Sequence, residues 1–378
     1  MNKSWDIFCN VIDNYGDAGV CWRLARQLAV EYGLAVRLWI DDLQTLQKLQ
    51  PDVASQSDTQ HIAGVDIHHW TEPLVFDRAA AVVIEAFACH LPLNYLRAMS
   101  LHTPPSLWIN LEYLSAEEWV SSCHSLPSPQ TNFALRKFFF FPGFTEGTGG
   151  VPGERDLMKG RRAFQADAAQ CRNFLRRIGV SVPADARLIS LFSYAEAPIA
   201  ALLHSWESGV KPIVCLVPEG QPLPAIARFF GEQHLSIGAI KRSGSLTVQV
   251  LPFLSQSDYD YLLWSCDINF VRGEDSFVRA QWAGRPFIWQ IYPQSEQAHW
   301  PKLEAFLQLY KTVLPEADTA TLIDLWRAWN GAGDIGAAWR KCGQIWPAAQ
   351  LAAETWSDRL NAGTNLAAAL VQFCANRV

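Results

Sequence analysis

The chain contains 378 residues, of which 49% are hydrophobic and 18% are charged, a balance typical of a folded protein without long disordered stretches. At about 150 residues per domain, this length indicates two domains. The 31 Lys and Arg residues are outnumbered by 37 Asp and Glu residues, which gives a net charge of −6 without any basic block and argues against a nucleic-acid partner.

Cysteine usage and hydropathy predict a cytoplasmic protein. The nine Cys residues form no CxxC pair and lie mostly in apolar segments, as expected for reduced thiols. The N-terminal apolar run is too short for a signal peptide and fits a first β-strand better. The most apolar stretch, residues 79–93, carries Glu85 and His90 and falls short of the ~20 residues that a membrane span requires. We therefore expect no membrane partner.

The first half of the chain alternates strand and helix patterns. Residues 5–12 are typical of a buried strand, residues 13–19 of a loop and residues 20–32 of a helix that Gly33 ends. Further strand patterns follow at residues 35–40, 81–84 and 106–110. This βαβ rhythm predicts a Rossmann-like parallel sheet.

The second half repeats this rhythm after a glycine-rich segment, residues 143–161, which we interpret as a mobile loop near the domain boundary, or a lid. Strand patterns then recur at residues 188–192, 212–217, 248–253, 268–271 and 287–291, which predicts a second doubly wound domain. A final helix at about residues 347–375 is expected to cross back onto the first domain. We assign residues 1–180, with a C-terminal helix of about residues 350–378, to the N-terminal domain and residues 181–349 to the C-terminal domain.

A first candidate site is the loop at residues 13–19. It departs from the GxGxxG dinucleotide motif, because Asp13 and Asp17 flank Gly16 and would repel a pyrophosphate. Carboxylates after the first strand instead suit a cationic or proton-donating substrate, and Asp17 is our candidate general base. The alternative is that Asp17 only caps a helix starting near Ala18 while Asp13 stabilises the turn.

A second candidate site is the strand–turn–helix segment at residues 267–292. The strand ends at Arg272-Gly273, a helix starts at Glu274-Asp275-Ser276, and Gly284-Arg285-Pro286 ends it. Such a turn presents backbone N–H groups, a positive helix end and a guanidinium to a diphosphate, which predicts a nucleotide-sugar site. The alternative is that Ser276 only caps the helix and Arg272 pairs with Glu274.

Aromatic side chains follow two other strands of the second domain. Phe192 and Tyr194 come after the first of these strands, and Phe253 and Gln256 come after another. The rings would face the site and stack a base. The Gln256 amide would either read a pyrimidine edge or face solvent at the start of a helix.

Metal-binding and hydrolase motifs give no support to other chemistry. Asp258-Tyr259-Asp260 imitates the DxD metal motif of some glycosyltransferases, but it lies where a helix begins, and we interpret it as a decoy. His68 and His69 are neighbours on opposite faces of a strand. The sequence shows neither a G-x-S-x-G nor a P-loop signature, so we expect no metal site and a metal-free mechanism.

Long segments of the chain resemble the bacterial elongation factor P arginine rhamnosyltransferases, essentially from end to end. The segments that carry the resemblance are IDNYGDAGVCWRLARQL at 12–28, LPFLSQSDYDYLLWSCDINFVRGEDSFVRAQWAGRPF at 251–287 and IYPQ at 291–294. The resemblance implies an α/β fold of the GT-B type, with two Rossmann-like doubly wound domains facing across a cleft. It also implies inverting transfer of L-rhamnose from dTDP-β-L-rhamnose to one arginine of elongation factor P, with no cofactor.

The resemblance also assigns site residues. Asp13 and Asp17 match the family's catalytic aspartates, with Asn14, Tyr15 and Gly16 in the acceptor loop between them, and Glu274 matches its essential acidic residue. The nucleotide-sugar pocket would comprise Phe192, Tyr194, Phe253, Gln256, Arg272, Asp275 and Ser276. Physical reasoning alone leaves two alternatives open: another GT-B enzyme, such as a small-molecule glycosyltransferase or an epimerase, and a non-catalytic nucleotide-sugar-binding protein.

Overall fold

A computed structural model describes residues 4–12, 15–130 and 132–377 of the chain. Unit 1 comprises the residues up to Arg155 and those from Leu360 onward, and unit 2 comprises Asp156–Arg359. The boundary differs from the predicted one at residue 180, because the two helices of residues 157–177 pack on unit 2. Gln165, for instance, donates to the carbonyl groups of Trp264 and Ala283 at 3.2 and 3.0 Å.

Unit 1 contains an eight-stranded sheet in the order β3-β4-β2-β1-β5-β6-β8-β7. Its strands are β1 Ser4–Cys9, β2 Ala35–Ile40, β3 Thr59–Ile62, β4 Val65–His69, β5 Val82–Ala86, β6 Leu107–Leu111, β7 Pro127–Pro129 and β8 Arg136–Phe140. Its helices are α1 Tyr15–Tyr32, α2 Leu43–Leu49, α3 Leu93–Leu101, α4 Trp119–Cys123 and α15 Leu366–Ala375.

The central strands of unit 1 are parallel and buried on both faces. All side chains of β5 and β6 are buried, which is the pattern of a sheet covered by helices on both sides. The chain runs outward from β1 to β2 and β4, and then returns to place β5 on the other side of β1. The strand order therefore reverses between β1 and β5, and doubly wound folds bind their ligands at such a switch point. Sequence analysis missed the antiparallel edge strands β3 and β7, because they are short and half exposed.

The glycine-rich segment packs closely on unit 1 up to Arg155. A Cβ atom at Gly149 would overlap the ring of Phe140, and one at Gly150, which has a φ of +77°, would overlap the carbonyl group of Thr364. Glycine is required here because two pieces of backbone approach closely. The predicted single final helix is likewise two helices, and the second, α15, starts where the Asn365 side chain accepts a hydrogen bond from Ala368 N.

Unit 2 contains a six-stranded sheet in the order β11-β12-β10-β9-β13-β14. Its strands are β9 Arg187–Leu191, β10 Ile213–Pro218, β11 Ile240–Ser243, β12 Leu246–Leu251, β13 Ile268–Arg272 and β14 Phe287–Gln290. Its helices are α5 Leu157–Ala166, α6 Ala168–Arg177, α7 Ile199–Glu207, α8 Leu223–Phe229, α9 Gln256–Ser265, α10 Asp275–Trp282, α11 His299–Tyr310, α12 Glu316–Trp329, α13 Ile335–Lys341 and α14 Trp346–Ala362, whose last residues belong to unit 1. Short 3₁₀ turns lie at Ser295–Gln297, Lys311–Val313 and Cys342–Gln344.

The sheet of unit 2 has the same doubly wound plan. The chain passes from β9 to β10 and β12, and β13 then pairs with the free side of β9. The switch point consequently lies between β9 and β13, where Phe192 and Arg272 stand at the carboxyl ends of the strands.

No helix in the part of the chain that the structure describes is both long enough and apolar enough to cross a membrane.

Candidate active site

Helix α1 places Asp17 at the switch point of unit 1. The helix begins at Tyr15, so Asp17 and the small residues after it belong to its first turn and not to the predicted loop. The carboxylate is only 1% exposed, and its Oδ2 accepts a hydrogen bond from Ile12 N at 2.9 Å. This bond turns the carboxylate back onto the end of the β1 segment. Asp13 and Asn14 lie outside the described residues.

Two residues from other parts of unit 1 contact this first turn. The hydroxyl group of Tyr113, which follows β6, donates to Asp17 Oδ1 at 2.9 Å. On the other side, the Lys48 ammonium group lies 5.9 Å from the ring centroid of Tyr15 and donates to its hydroxyl oxygen at 3.4 Å. Gly16, which lies between Tyr15 and Asp17 in sequence, is half-buried. Each oxygen of the Asp17 carboxylate therefore accepts a hydrogen bond from a neutral donor, Ile12 N or the Tyr113 hydroxyl.

A buried thiol lies near Asp17. A hydrogen bond with Cys21, burial and the nearby carboxylates of Asp17 and Asp41 together raise the pKa of Cys9 well above its ordinary value. Cys9 therefore stays a neutral thiol near pH 7. It adds no charge beside the candidate base.

Arg272 forms the centre of the candidate site in unit 2. It is the last residue of β13, and its guanidinium carbon lies 4.6 Å from the ring centroid of Phe192 and 4.4 Å from that of Tyr194. Tyr194 is held in turn by the Gln290 side chain, which accepts a hydrogen bond from Tyr194 N at 2.8 Å. Cation–π contacts with two rings restrict the orientation of a guanidinium, and its planar fork of donors suits an anion.

The turn after Arg272 is built by its own side chains. Gly273 has a φ of +60°, a conformation that favours glycine, and its carbonyl group accepts a hydrogen bond from Trp289 Nε1 at 2.8 Å. The Ser276 hydroxyl contacts both the N–H and the carbonyl group of Arg272, so Ser276 ties the turn together and does not act as the helix cap. The turn is rigid at the point where helix α10 presents its N-terminus.

Glu274 and Asp275 each have a charged or polar partner on a neighbouring helix. Glu274 is buried and accepts a hydrogen bond from the Lys302 ammonium group, on α11, at 2.8 Å. Asp275 accepts one from Gln256 Nε2, at the start of α9, at 3.2 Å. Gln256 is buried, so the solvent-facing alternative for its side chain is wrong. Phe253, two residues after β12, is half-buried at the same edge of the sheet.

The DxD-like pair is occupied by arginines. Asp260 forms a buried bidentate pair with Arg279 at 2.9 and 2.6 Å, and Asp258 forms an exposed one with Arg177 at 3.1 and 2.6 Å. The two carboxylates bind different arginines and are not arranged around a common point where a metal ion would lie. Within residues 4–12, 15–130 and 132–377, no group of three or more His, Cys, Asp or Glu side chains is suited to hold a metal ion.

Comparisons with known proteins show the family of this chain. The family model of the elongation factor P (EF-P) rhamnosyltransferase EarP matches residues 5–375. The chain belongs to this family. A protein-arginine rhamnosyltransferase of Pseudomonas putida is 51% identical over 376 residues, covering 100% of both chains, and one of Pseudomonas aeruginosa is 48% identical, covering 99% of both. A solved structure on EarP-mediated arginine glycosylation of EF-P superposes with a TM-score of 0.72 at 39% identity, covering 100% of both chains.

These matches confirm the predicted family, the GT-B fold and the enzyme class of protein-arginine rhamnosyltransferase. The roles of individual residues in this EarP family member remain predictions. Sequence reasoning missed Tyr113, Gln290 and Lys302 as neighbours of the predicted residues. The rule that the carboxyl ends of parallel strands meet at one edge of a sheet would have found the first two, because Tyr113 follows β6 and Gln290 ends β14. No pattern in the sequence pointed to Lys302.

Proposed function

We propose that the chain acts in the cytoplasm and transfers L-rhamnose from dTDP-β-L-rhamnose to one arginine of EF-P, with inversion at the anomeric carbon and without a metal ion. Family membership supports the enzyme class and the acceptor protein. The arrangement of Arg272 and Asp17 supports the chemistry of the two half-sites.

Arg272 carries the donor half of this proposal. Its guanidinium contacts the rings of Phe192 and Tyr194, at a switch point and one turn before the N-terminus of α10. A planar fork of donors matches phosphate oxygens, and a helix N-terminus adds backbone N–H groups and a positive dipole. Together they would stabilise the negative charge on dTDP as it leaves. Preorganised groups of this kind typically contribute several kcal/mol, so a metal ion is not required for charge neutralisation.

Asp17 carries the acceptor half. An arginine guanidinium is protonated in water and is a poor nucleophile. As its nitrogen bonds to the anomeric carbon and the bond from that carbon to the diphosphate oxygen breaks, one N–H proton must leave. A buried carboxylate with lone pairs fixed by Ile12 N and Tyr113 can accept that proton, and Asp13 would help to bind the cation. Attack from the face opposite the diphosphate gives inversion.

Glu274 has a third role in this proposal. Its carboxylate would bind hydroxyl groups of the rhamnose or polarise the guanidinium. Lys302 balances the charge of this buried carboxylate. Gln256 and Asp275, linked by a hydrogen bond, would contact the nucleotide beside it.

The direct test is the intact mass of EF-P after incubation with the protein, dTDP-β-L-rhamnose and EDTA. We expect the addition of one deoxyhexose to one arginine, and an α-linked product in the NMR spectrum because the donor is the β-anomer. Asp17→Asn is the matched control and should give no addition. An unchanged EF-P mass with dTDP-rhamnose still bound in calorimetry would reject the acceptor, and activity lost only in EDTA would reject the metal-free mechanism.

A further inference from the structure

Two hydrogen bonds fix the orientation of the Asp17 carboxylate. Ile12 N donates to Oδ2 and the Tyr113 hydroxyl donates to Oδ1, each at 2.9 Å. The first donor is local, whereas Tyr113 lies 96 residues away in sequence, beyond the end of β6. A hydroxyl donor orients the carboxylate through a hydrogen bond and adds no positive charge of its own.

The ring of Tyr113 is itself held by a parallel stack. The ring of Phe87 lies 4.2 Å from it, centroid to centroid, with an angle of 5° between the planes. Phe87 N donates to the carbonyl group of Leu111 at 2.7 Å, which joins the segment after β5 to the end of β6. The stack therefore fixes where the Tyr113 hydroxyl lies relative to α1.

The loop that presents Phe87 has an unusual backbone. Phe87, Ala88 and His90 all have positive φ values, of 55°, 54° and 58°, a region that residues other than glycine rarely adopt. Such conformations persist only when their surroundings hold them. Glu85 does so here, because this fully buried carboxylate accepts a hydrogen bond from His90 N at 3.2 Å.

Glu85 is anchored on its other side. Its Oε2 accepts hydrogen bonds from Trp108 Nε1 on β6 and from the Lys137 ammonium group on β8, both at 2.8 Å. A buried carboxylate with a charged partner and two N–H donors is fully satisfied and has one orientation. The backbone of three adjacent strands is thereby coupled to the loop, the loop to the stacked rings, and the rings to Asp17.

We propose that Tyr113 is a positioning residue for arginine rhamnosylation, acting through Asp17, and that Phe87 is the platform that holds it. The Tyr113 hydroxyl holds the carboxylate in the orientation in which it meets the acceptor N–H. This inference rests on the proposed role of Asp17 as the base. Misorientation of a base by a fraction of an ångström lowers the rate of the chemical step more than it lowers substrate affinity.

The test compares Tyr113→Phe with Tyr261→Phe. Tyr113→Phe removes one oxygen atom and keeps the ring that stacks on Phe87, whereas Tyr261 is 36% exposed on α9 of unit 2 and serves as the control. We expect Tyr113→Phe to lower kcat by about 10- to 100-fold. The KM for EF-P, the dissociation constant for dTDP and the melting temperature should stay close to their wild-type values, and Tyr261→Phe should change none of them.

A second variant, Phe87→Leu, keeps the hydroxyl and loosens the stack, and it should lower kcat by a smaller factor. A wild-type kcat in Tyr113→Phe would overturn the inference. So would a fall in melting temperature with an equal loss of donor affinity, since that would make Tyr113 merely structural. A wild-type protein that binds dTDP-rhamnose but leaves EF-P unmodified would instead reject the proposed function, and the inference with it.

Discussion

Removal of Arg279 should strongly destabilise unit 2. The Arg279 and Asp260 side chains are only 4% and 10% exposed and share two hydrogen bonds, at 2.9 and 2.6 Å, that join α10 to α9. Arg279→Met would leave a buried carboxylate without its charged partner, which typically costs about 3–5 kcal/mol. In a unit of about 200 residues, roughly 2–4 °C per kcal/mol gives a fall in melting temperature of about 6–20 °C.

The exposed pair on the same motif provides the control. Arg177→Met removes the partner of Asp258, but these side chains are 58% and 26% exposed, so the loss should be below about 1 kcal/mol. The double variant Asp260→Leu/Arg279→Met replaces the buried charges with apolar groups and should recover most of the stability. Calorimetric melting of the four proteins measures the difference.

This reasoning would be refuted if Arg279→Met melted within about 1 °C of the wild type. It would also be refuted if Asp260→Asn kept its melting temperature but lost an activity that added Mn²⁺ restored. The second result would mean that Asp258 and Asp260 bind a metal ion, as the DxD motif does in other glycosyltransferases.

The remaining predictions concern the two half-sites and one histidine. Asp17→Asn should abolish rhamnosylation of EF-P while calorimetry shows dTDP bound nearly as in the wild type; lost nucleotide binding would contradict the role of a base. Arg272→Lys should weaken dTDP binding by about 10- to 100-fold, because an ammonium group cannot stack on the two rings as a planar guanidinium does, nor bind phosphate with a planar fork. An unchanged dissociation constant would place the phosphates elsewhere. Burial lowers the pKa of His124, whose Nδ1 accepts a hydrogen bond from Phe141 N. The unfolded chain therefore binds this proton at a higher pH than the folded protein does, and stability falls as the pH drops below 6.5, the ordinary pKa of histidine. His124→Gln should lose less melting temperature than the wild type between pH 7.5 and 5.5, and equal losses would exclude His124 as the cause.

Much of this protein could be derived from local sequence patterns. Apolar runs of five or six residues between helical patterns predicted the parallel strands of both sheets, because strands buried on both faces must be apolar throughout. The family and its fold followed from long contiguous segments, above all the turn from Arg272 to Ser276, whose glycine and helix-start residues act within a few positions of one another. Asp17 could be named for the same reason, since it lies in the first turn of α1 and its carboxylate accepts a hydrogen bond from Ile12 N, only five residues earlier.

Only the tertiary structure decided which side chains meet. Tyr113 reaches Asp17 across 96 residues, and Lys302 reaches Glu274 across 28, with no local pattern that marks either pair. Asp258 and Asp260 form ion pairs with arginines from two other helices. The domain boundary depends on which unit has the apolar face that α5 and α6 cover. Strand order determines the first contact, because it brings remote strand ends to one edge of a sheet, and the packing of helices on the sheets determines the others. Periodicity along the chain reports only whether a segment is buried, not which segment lies beside it.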